Sequence, residues 1–521
     1  MGAPFSPRLY HTLQTGLGCR TLGGTVLPHL VHRLLLALAL LALTPASALA
    51  EWRRAESQHF VVYSDGSERS LRDYTTTLER FHGLLKARFG GSAQDDTRKL
   101  PVYLVADARA LRIGQPQLPE GIDGYYMASE NDIFAILIRG KDDDLLLHEY
   151  THHFMANAGQ GRLPGWFSEG LAEYYATATV SEAGAATFGM PNAGRQQKLQ
   201  QGRWLPIDQL LRAQGSFDIE SQAGRDMYYA QSWALTHWLL ADQTRARALG
   251  VYLNAVNSGR DPIEAWQASF GIAPDAMEAQ LKAYVRGRLY YSEMTIPPVT
   301  PGITVSILSP AWDAVILPLM NSRSPRPEEM NGPALLQTGR TNAARFPNDA
   351  LALVALGRAE RLWGDSAAAE TALTRALEIG PANVEGLLLM ADIVDERSDL
   401  ASDLTEMDRE RALAIELLRR ALEAEPKDYR VYAELARLRR GAEDYPTQED
   451  LRTWALAVRY APQVMSIRGD AAIAMMEGGR YDEAVVLLTP IINDPHGGPN
   501  VQYARQLLAE VEQRRAAAGS D

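Results

Sequence analysis

Asp142-Asp143-Asp144-Leu145-Leu146-Leu147-His148-Glu149-Tyr150-Thr151-His152-His153-Phe154 is the stretch on which fold and chemistry turn. Its three acidic residues suit a helix start, and the apolar run after them reads as a helix ending near Gly159. The aspartates are read as helix-capping residues rather than a calcium site. On a helix, positions four apart share a face, so His148 and His152 present two imidazoles to one point with Glu149 beside them. Neutral imidazole is a good zinc donor, and two such ligands plus a third leave one coordination position for water. Glu149 is placed to take that water's proton. His153 points about 100° away from His152 and is read as a supporting or packing residue.

Downstream, Leu163-Pro164-Gly165-Trp166-Phe167-Ser168-Glu169-Gly170-Leu171-Ala172-Glu173-Tyr174-Tyr175 reads as a turn and a second helix. Glu169 follows His152 by seventeen positions, enough chain to leave one helix, turn and return a carboxylate as third ligand. Glu173, one turn later, reads either as a hydrogen-bond partner of a ligand histidine or as an ordinary solvated helix charge.

The pair of motifs resembles the gluzincin metallopeptidases, the thermolysin-like clan, and most closely its bacterial peptidase-MA-like group. Trp166 to Ala172 is similar to that clan's W-x-x-E-G-x-A segment, which implies that Glu169 joins His148 and His152 on one Zn2+ per chain. Tyr228-Tyr229-Ala230-Gln231-Ser232-Trp233-Ala234-Leu235 is similar to the helix whose tyrosine donates to the transition-state oxyanion. The resemblance implies that role for Tyr229, with Tyr228 as the alternative. His237, on the same helix, is read as a core or surface residue. The resemblance spans about residues 51 to 290 and departs at one place: Gly124-Tyr125-Tyr126-Met127-Ala128-Ser129-Glu130-Asn131 carries some letters of the amine-gripping G-x-M-E-N motif out of register, which argues against amine trimming. The clan's substrate-aligning strand is expected at Ile133 to Ile138.

Elsewhere the pattern before Asp107 alternates. His59 to Tyr63 and Val102 to Val105 read as strands, and Ser70 to Phe89 as a helix with Leu71, Tyr74, Leu78, Phe81 and Leu85 on one face. Tyr125 to Met127 and Ile133 to Ile138 read as a hairpin, and from Asp143 to Tyr291 the period is helical. The expected fold is therefore an α+β metallopeptidase domain, a mixed sheet plus a zinc-binding helical part, over 51–295. Residues 296–334 hold eight prolines and read as an extended connector, with Val315-Ile316-Leu317 able to dock on a neighbour. Over 335–515, prolines 347, 381, 426, 462 and 495 punctuate pairs of amphipathic runs. Gly357, Ala369, Ala376 and Gly479-Arg480-Tyr481-Asp482-Glu483-Ala484 resemble the tetratricopeptide (TPR) repeat, implying an all-α solenoid that binds a protein or peptide.

The first fifty residues read as a secretory signal: basic residues to Arg33, ten Leu and Ala from Leu34 to Leu43, and a small-x-small exit at Ala48-Leu49-Ala50. The run is half the length of a membrane span, so a periplasmic or secreted protein with no span after signal removal is expected. Cys19 is the only cysteine, so disulfides and thiolate metal ligands are excluded from the remainder. A net charge of −12 with no basic stretch argues against nucleic acid as a partner. The expected function is an exported zinc metallopeptidase hydrolysing a protein or peptide substrate. Two alternatives stand beside it: an idle peptidase fold acting through its repeats, and a zinc hydrolase of a non-peptide bond.

Overall fold

Ile133-Phe134-Ala135-Ile136-Leu137-Ile138 has no polar position, and a strand of that composition needs cover on both faces and partners on both edges. The computed structural model gives it both. It describes residues 51–518 apart from 91–96, 119, 141–143, 159–162, 214, 216–218, 220 and 494–498. The expected signal segment with Cys19, and Asp142, Asp143 and Pro495, lie outside the described residues.

The strands are β1 (Arg53–Glu56), β2 (Phe60–Ser64), β3 (Leu100–Val105), β4 (Gly124–Ala128), β5 (Ile133–Ile138), β6 (Thr179–Val180), β7 (Ala185–Phe188), β8 (Ser292–Thr295) and β9 (Thr304–Ile307). A mixed six-stranded sheet runs β4-β5-β3-β2-β1-β9, with β2, β3 and β5 parallel and the other pairs antiparallel; β6, β7 and β8 form a second sheet. Side chains alternate across a strand. Ile133, Ala135 and Leu137 of β5 therefore join one buried cluster with Leu78, Phe81 and Leu85 of α1 (Glu68–Phe89). Phe134, Ile136 and Ile138 join the other with Leu111 of α2 (Ala108–Gly114).

The helices that carry the His148 and Glu169 motifs and their neighbours follow: α3 (Asp144–Asn157), α4 (Gly165–Ala176), α5 (Ala193–Gln201), α6 (Ile207–Arg212) and α7 (Gln222–Leu240). Behind them lie α8 (Gln243–Asn257), α9 (Pro262–Phe270) and α10 (Pro274–Arg286).

Two expectations are corrected. The strand at Ile133–Ile138 cannot align a substrate, because β4 and β3 occupy both its edges; β4 is the edge strand. The uninterrupted apolar run that marked β5 is what makes it central. The segment 296–334 is also no mere extended connector. Its β9 pairs with β1, and α11 (Trp312–Ser322) buries Ile316, Leu317 and Met320 against the sheet. Proline density excluded a helix here only locally: Pro318 sits inside α11 without an N–H for the carbonyl of Ala314, and Asn342 Nδ2 donates to that carbonyl at 2.9 Å instead.

The remaining chain is a TPR-like array of paired helices. After α12 (Gly332–Arg345) come α13 (Ala350–Trp363) with α14 (Ser366–Ile379), α15 (Val384–Asp399) with α16 (Leu404–Ala424), α17 (Tyr429–Arg439) with α18 (Gln448–Tyr460), and α19 (Met465–Glu477) with α20 (Tyr481–Ile492), closed by α21 (Pro499–Ala518). Pro347, Pro381, Pro426 and Pro462 each follow a helix end by two residues, as the ring demands. A Cβ on Gly357 would lie 2.5 Å from Leu373 Cγ, so the missing side chain sets how closely α13 and α14 pack. The long proline interval between 381 and 426 is absorbed mainly by lengthening α16.

Sheet and repeats form one compact unit. Tyr429, fully buried, donates from its hydroxyl to the carbonyl of Ser129 in the β4–β5 turn at 2.6 Å. Asp132 of that turn accepts from Arg98 at 3.0 Å and Arg323 at 2.9 Å, and Glu385 gathers Arg323, Arg358 and Arg430 at 3.3, 3.1 and 2.8 Å. Among the described residues, no helix is long and apolar enough to cross a membrane.

Candidate metal centre

The motif residues reach one point because two helices of different origin meet there. α3 rises beside β4 and carries His148, Glu149 and His152 on neighbouring positions; α4 starts after the turn at Pro164 and brings Glu169 in its second turn. Nε2 of His148 and Nε2 of His152 are 3.2 Å apart, and Oε2 of Glu169 lies 3.3 Å from the first and 3.4 Å from the second. Zinc bonds of about 2.0–2.1 Å at tetrahedral angles would separate ligand atoms by about 3.3–3.4 Å. The three atoms thus stand at the corners of one face of a zinc tetrahedron, with donor types that suit the ion.

The local field favours a cation. Burial opposes charge on His148, but the bonded Glu169 and the nearby Glu173 and Glu149 outweigh it and push the imidazole up to about 9. Glu169 is fully buried, at 0% exposure, where a carboxylate needs positive charge against it.

Around the ligands the structure supplies orientation. Oε1 of Glu173 lies 3.4 Å from Nδ1 of His148, and Ser168 Oγ lies 3.4 Å from Nδ1 of His152. Arg195 of α5 grips Glu173 with Nε at 2.9 Å and with a second, short contact from Nη2. Its guanidinium also lies over the Tyr229 ring, 5.2 Å from the centroid. Sequence reasoning missed Arg195; the only local signal is Asn192, whose side chain caps α5 and sets where the helix begins.

Of the two tyrosines on α7, Tyr229 faces the site: its ring is 6.5 Å from that of His148 and it is half-buried. Tyr228 is fully buried in the core. His237 is a core residue as well, with Nδ1 at 2.7 Å from the Tyr284 hydroxyl and Nε2 at 3.0 Å from the Gly189 carbonyl. His153 stays off the ligand set. Its Nδ1 meets the Tyr126 hydroxyl of β4 at 2.9 Å and Gln463 Nε2 at 3.3 Å, and burial pushes the ring down to about 4. Asp144 is the first residue of α3, as a helix-start acid should be.

Glu149 and His152 open onto a cavity of about 1370 Å³. One wall is β4 with the β4–β5 turn, the floor is α3, and the far wall is made by the repeats, through Pro462, Gln463, Val464, Met465 and Arg468. A cleft of this size, edged by the outermost strand of the described sheet, has room for an extended chain beside the His148–His152–Glu169 triangle.

Residues 145–264 match a family described as a protein of unknown function (DUF1570), a span that takes in His148, Glu149, His152, Glu169, Arg195 and Tyr229. No curated protein matches the chain. Among solved structures, TTC0263, a thermophilic TPR protein in Thermus thermophilus, is similar at 16% identity and a TM-score of 0.32, over 39% of this chain and 99% of that one. MamA from Desulfovibrio magneticus RS-1 has 16% identity and a TM-score of 0.25 over 39% of this chain and 97% of its own. YrrB, a TPR protein with an unusual peptide-binding site, has 14% identity and a TM-score of 0.26 over 38% of this chain and 92% of its own.

Proposed function

We propose that the chain is an exported zinc-dependent metallopeptidase whose repeats help to bind a protein or peptide substrate. The observation that carries the reading is the triangle of His148, His152 and Glu169 donor atoms at 3.2–3.4 Å. These three residues would hold the ion. Bound there, zinc supplies a Lewis acid that polarises the scissile carbonyl and makes water acidic near neutral pH.

The chain's own groups do the rest. The Glu149 carboxylate accepts the proton of the attacking water and returns one to the departing amine. The Tyr229 hydroxyl donates to the oxygen on which negative charge grows. Glu173 holds the His148 ring through Nδ1, and Arg195 fixes both Glu173 and Tyr229. The outer edge of β4 pairs with the backbone of an extended peptide, and the repeats close the cleft from the opposite side.

Metal analysis and cleavage of a peptide library test this together. Purified wild type should carry one equivalent of zinc and the His148→Ala variant almost none. Glu149→Gln should keep its zinc and lose activity by about 10²–10⁴-fold. Zinc-free wild type after metal-replete preparation, or a fully active Glu149→Gln, overturns the proposal.

A further inference from the structure

The far wall of the cleft carries a charge that no carboxylate balances among the described residues. Arg468, in the first turn of α19, is 8% exposed and lines the cavity shared with Glu149 and His152. It is the one Lys or Arg among the described residues lining that space. Its Nε donates to the Pro462 carbonyl in a short contact, and no carboxylate pairs with it among the described residues.

The other buried arginines behave differently. Arg98, Arg323, Arg358 and Arg430 each face Asp132, Glu385 or Asp428. Burying a guanidinium without an anion is unfavourable, and a carbonyl recovers only part of the lost hydration. Burial alone moves Arg468 down to about 10, with no acid pulling it back. On the same wall, Gln463 Oε1 is buried and finds no hydrogen-bond partner among the described residues. A planar five-donor fork on the wall of a cleft that can hold a peptide matches a carboxylate.

We propose that Arg468 is the recognition point for a carboxylate of a bound peptide, whether its C-terminus or an Asp or Glu side chain. The inference rests on the peptidase reading only in taking the ligand to be a peptide. The catalytic face of the cleft then grips the backbone while the repeat face reads charge, so selection and chemistry sit on opposite walls.

Binding tests this without turnover. The full chain carrying Glu149→Gln, loaded with zinc, is titrated by fluorescence anisotropy with four labelled peptide pools: C-terminus free or amidated, Asp and Glu present or absent. Carboxylate-bearing pools should bind at least about tenfold tighter than the amidated, acid-free pool, and the pool responsible identifies the source. Adding Arg468→Met should bring that ratio below about two while leaving the amidated, acid-free pool unchanged. Arg468→Gln, which keeps an amide donor for the Pro462 carbonyl, is the second variant and should lose the preference too. A preference that survives both substitutions, equal binding of all pools, or no binding of any pool overturns the proposal. If the preference is present but wild type cleaves nothing, the peptidase reading fails and this one stands; cleavage indifferent to Arg468 reverses that outcome.

Discussion

Glu173 shows how much of the candidate centre is decided by residues outside the His148–His152–Glu169 triangle. It lies 3.4 Å from His148 Nδ1 and takes both the Nε and Nη2 donors of Arg195. Removing such a partner loosens the ring it holds, so Glu173→Ala should lower zinc affinity about 10–100-fold in competition with a chromogenic chelator. The two adjacent tyrosines separate by function in the same way. Tyr229→Phe should lower kcat by about 10²-fold with zinc content unchanged, whereas Tyr228→Phe should leave kcat near wild type. His148, Glu149, His152 and Glu169 were legible in the sequence because helical spacing and one turn bring them together. Arg195 and Arg468 were not: each reaches the site through the docking of a separate helix, and no spacing along the chain encodes that approach.

Among elements, the contact of α4 with α7 positions Glu169 relative to Tyr229. It depends on Gly170, where an added Cβ would lie 2.2 Å from Thr236 Oγ1 and 2.3 Å from the Ser232 carbonyl oxygen. Gly170→Ala must push the helices apart. It should cost about 1–3 kcal/mol of stability by denaturant titration. Strands and repeat helices were readable because hydrophobic period and proline punctuation are local signals. The edge position of β4 was not, since which strand lies outermost follows from pairing between distant segments. The segment around β9 and α11 misled for a related reason. Proline density reports lost backbone donors, and Asn342 of the first repeat helix makes good the loss at Ala314.

Across the whole molecule, the repeats are bound to the sheet through buried charge. Glu385 stands among Arg323, Arg358 and Arg430; without its charge Arg323 keeps Asp132 and Arg430 keeps Asp428, but Arg358 loses its carboxylate, so Glu385→Gln should cost about 3–5 kcal/mol. Burial works against the Glu385 and Asp428 carboxylates, yet the surrounding arginines hold both below their ordinary values. Groups depressed in the folded state stabilise fully above their unfolded pKa, about 4, and lose that contribution as pH falls through the folded value. The melting temperature should therefore be flat above about pH 5 and fall below about pH 4, with Glu385→Gln showing a shallower fall. The pairing of Arg53 with Ile307 has an outcome of its own. The first strand obtains its second neighbour only after His148, His152 and Glu169 have all been synthesised. A ribosome reading from the amino end must finish the candidate site before the sheet that frames it can close, so a shortened product ending at Thr295 would emerge with a raw strand edge and a strong tendency to aggregate.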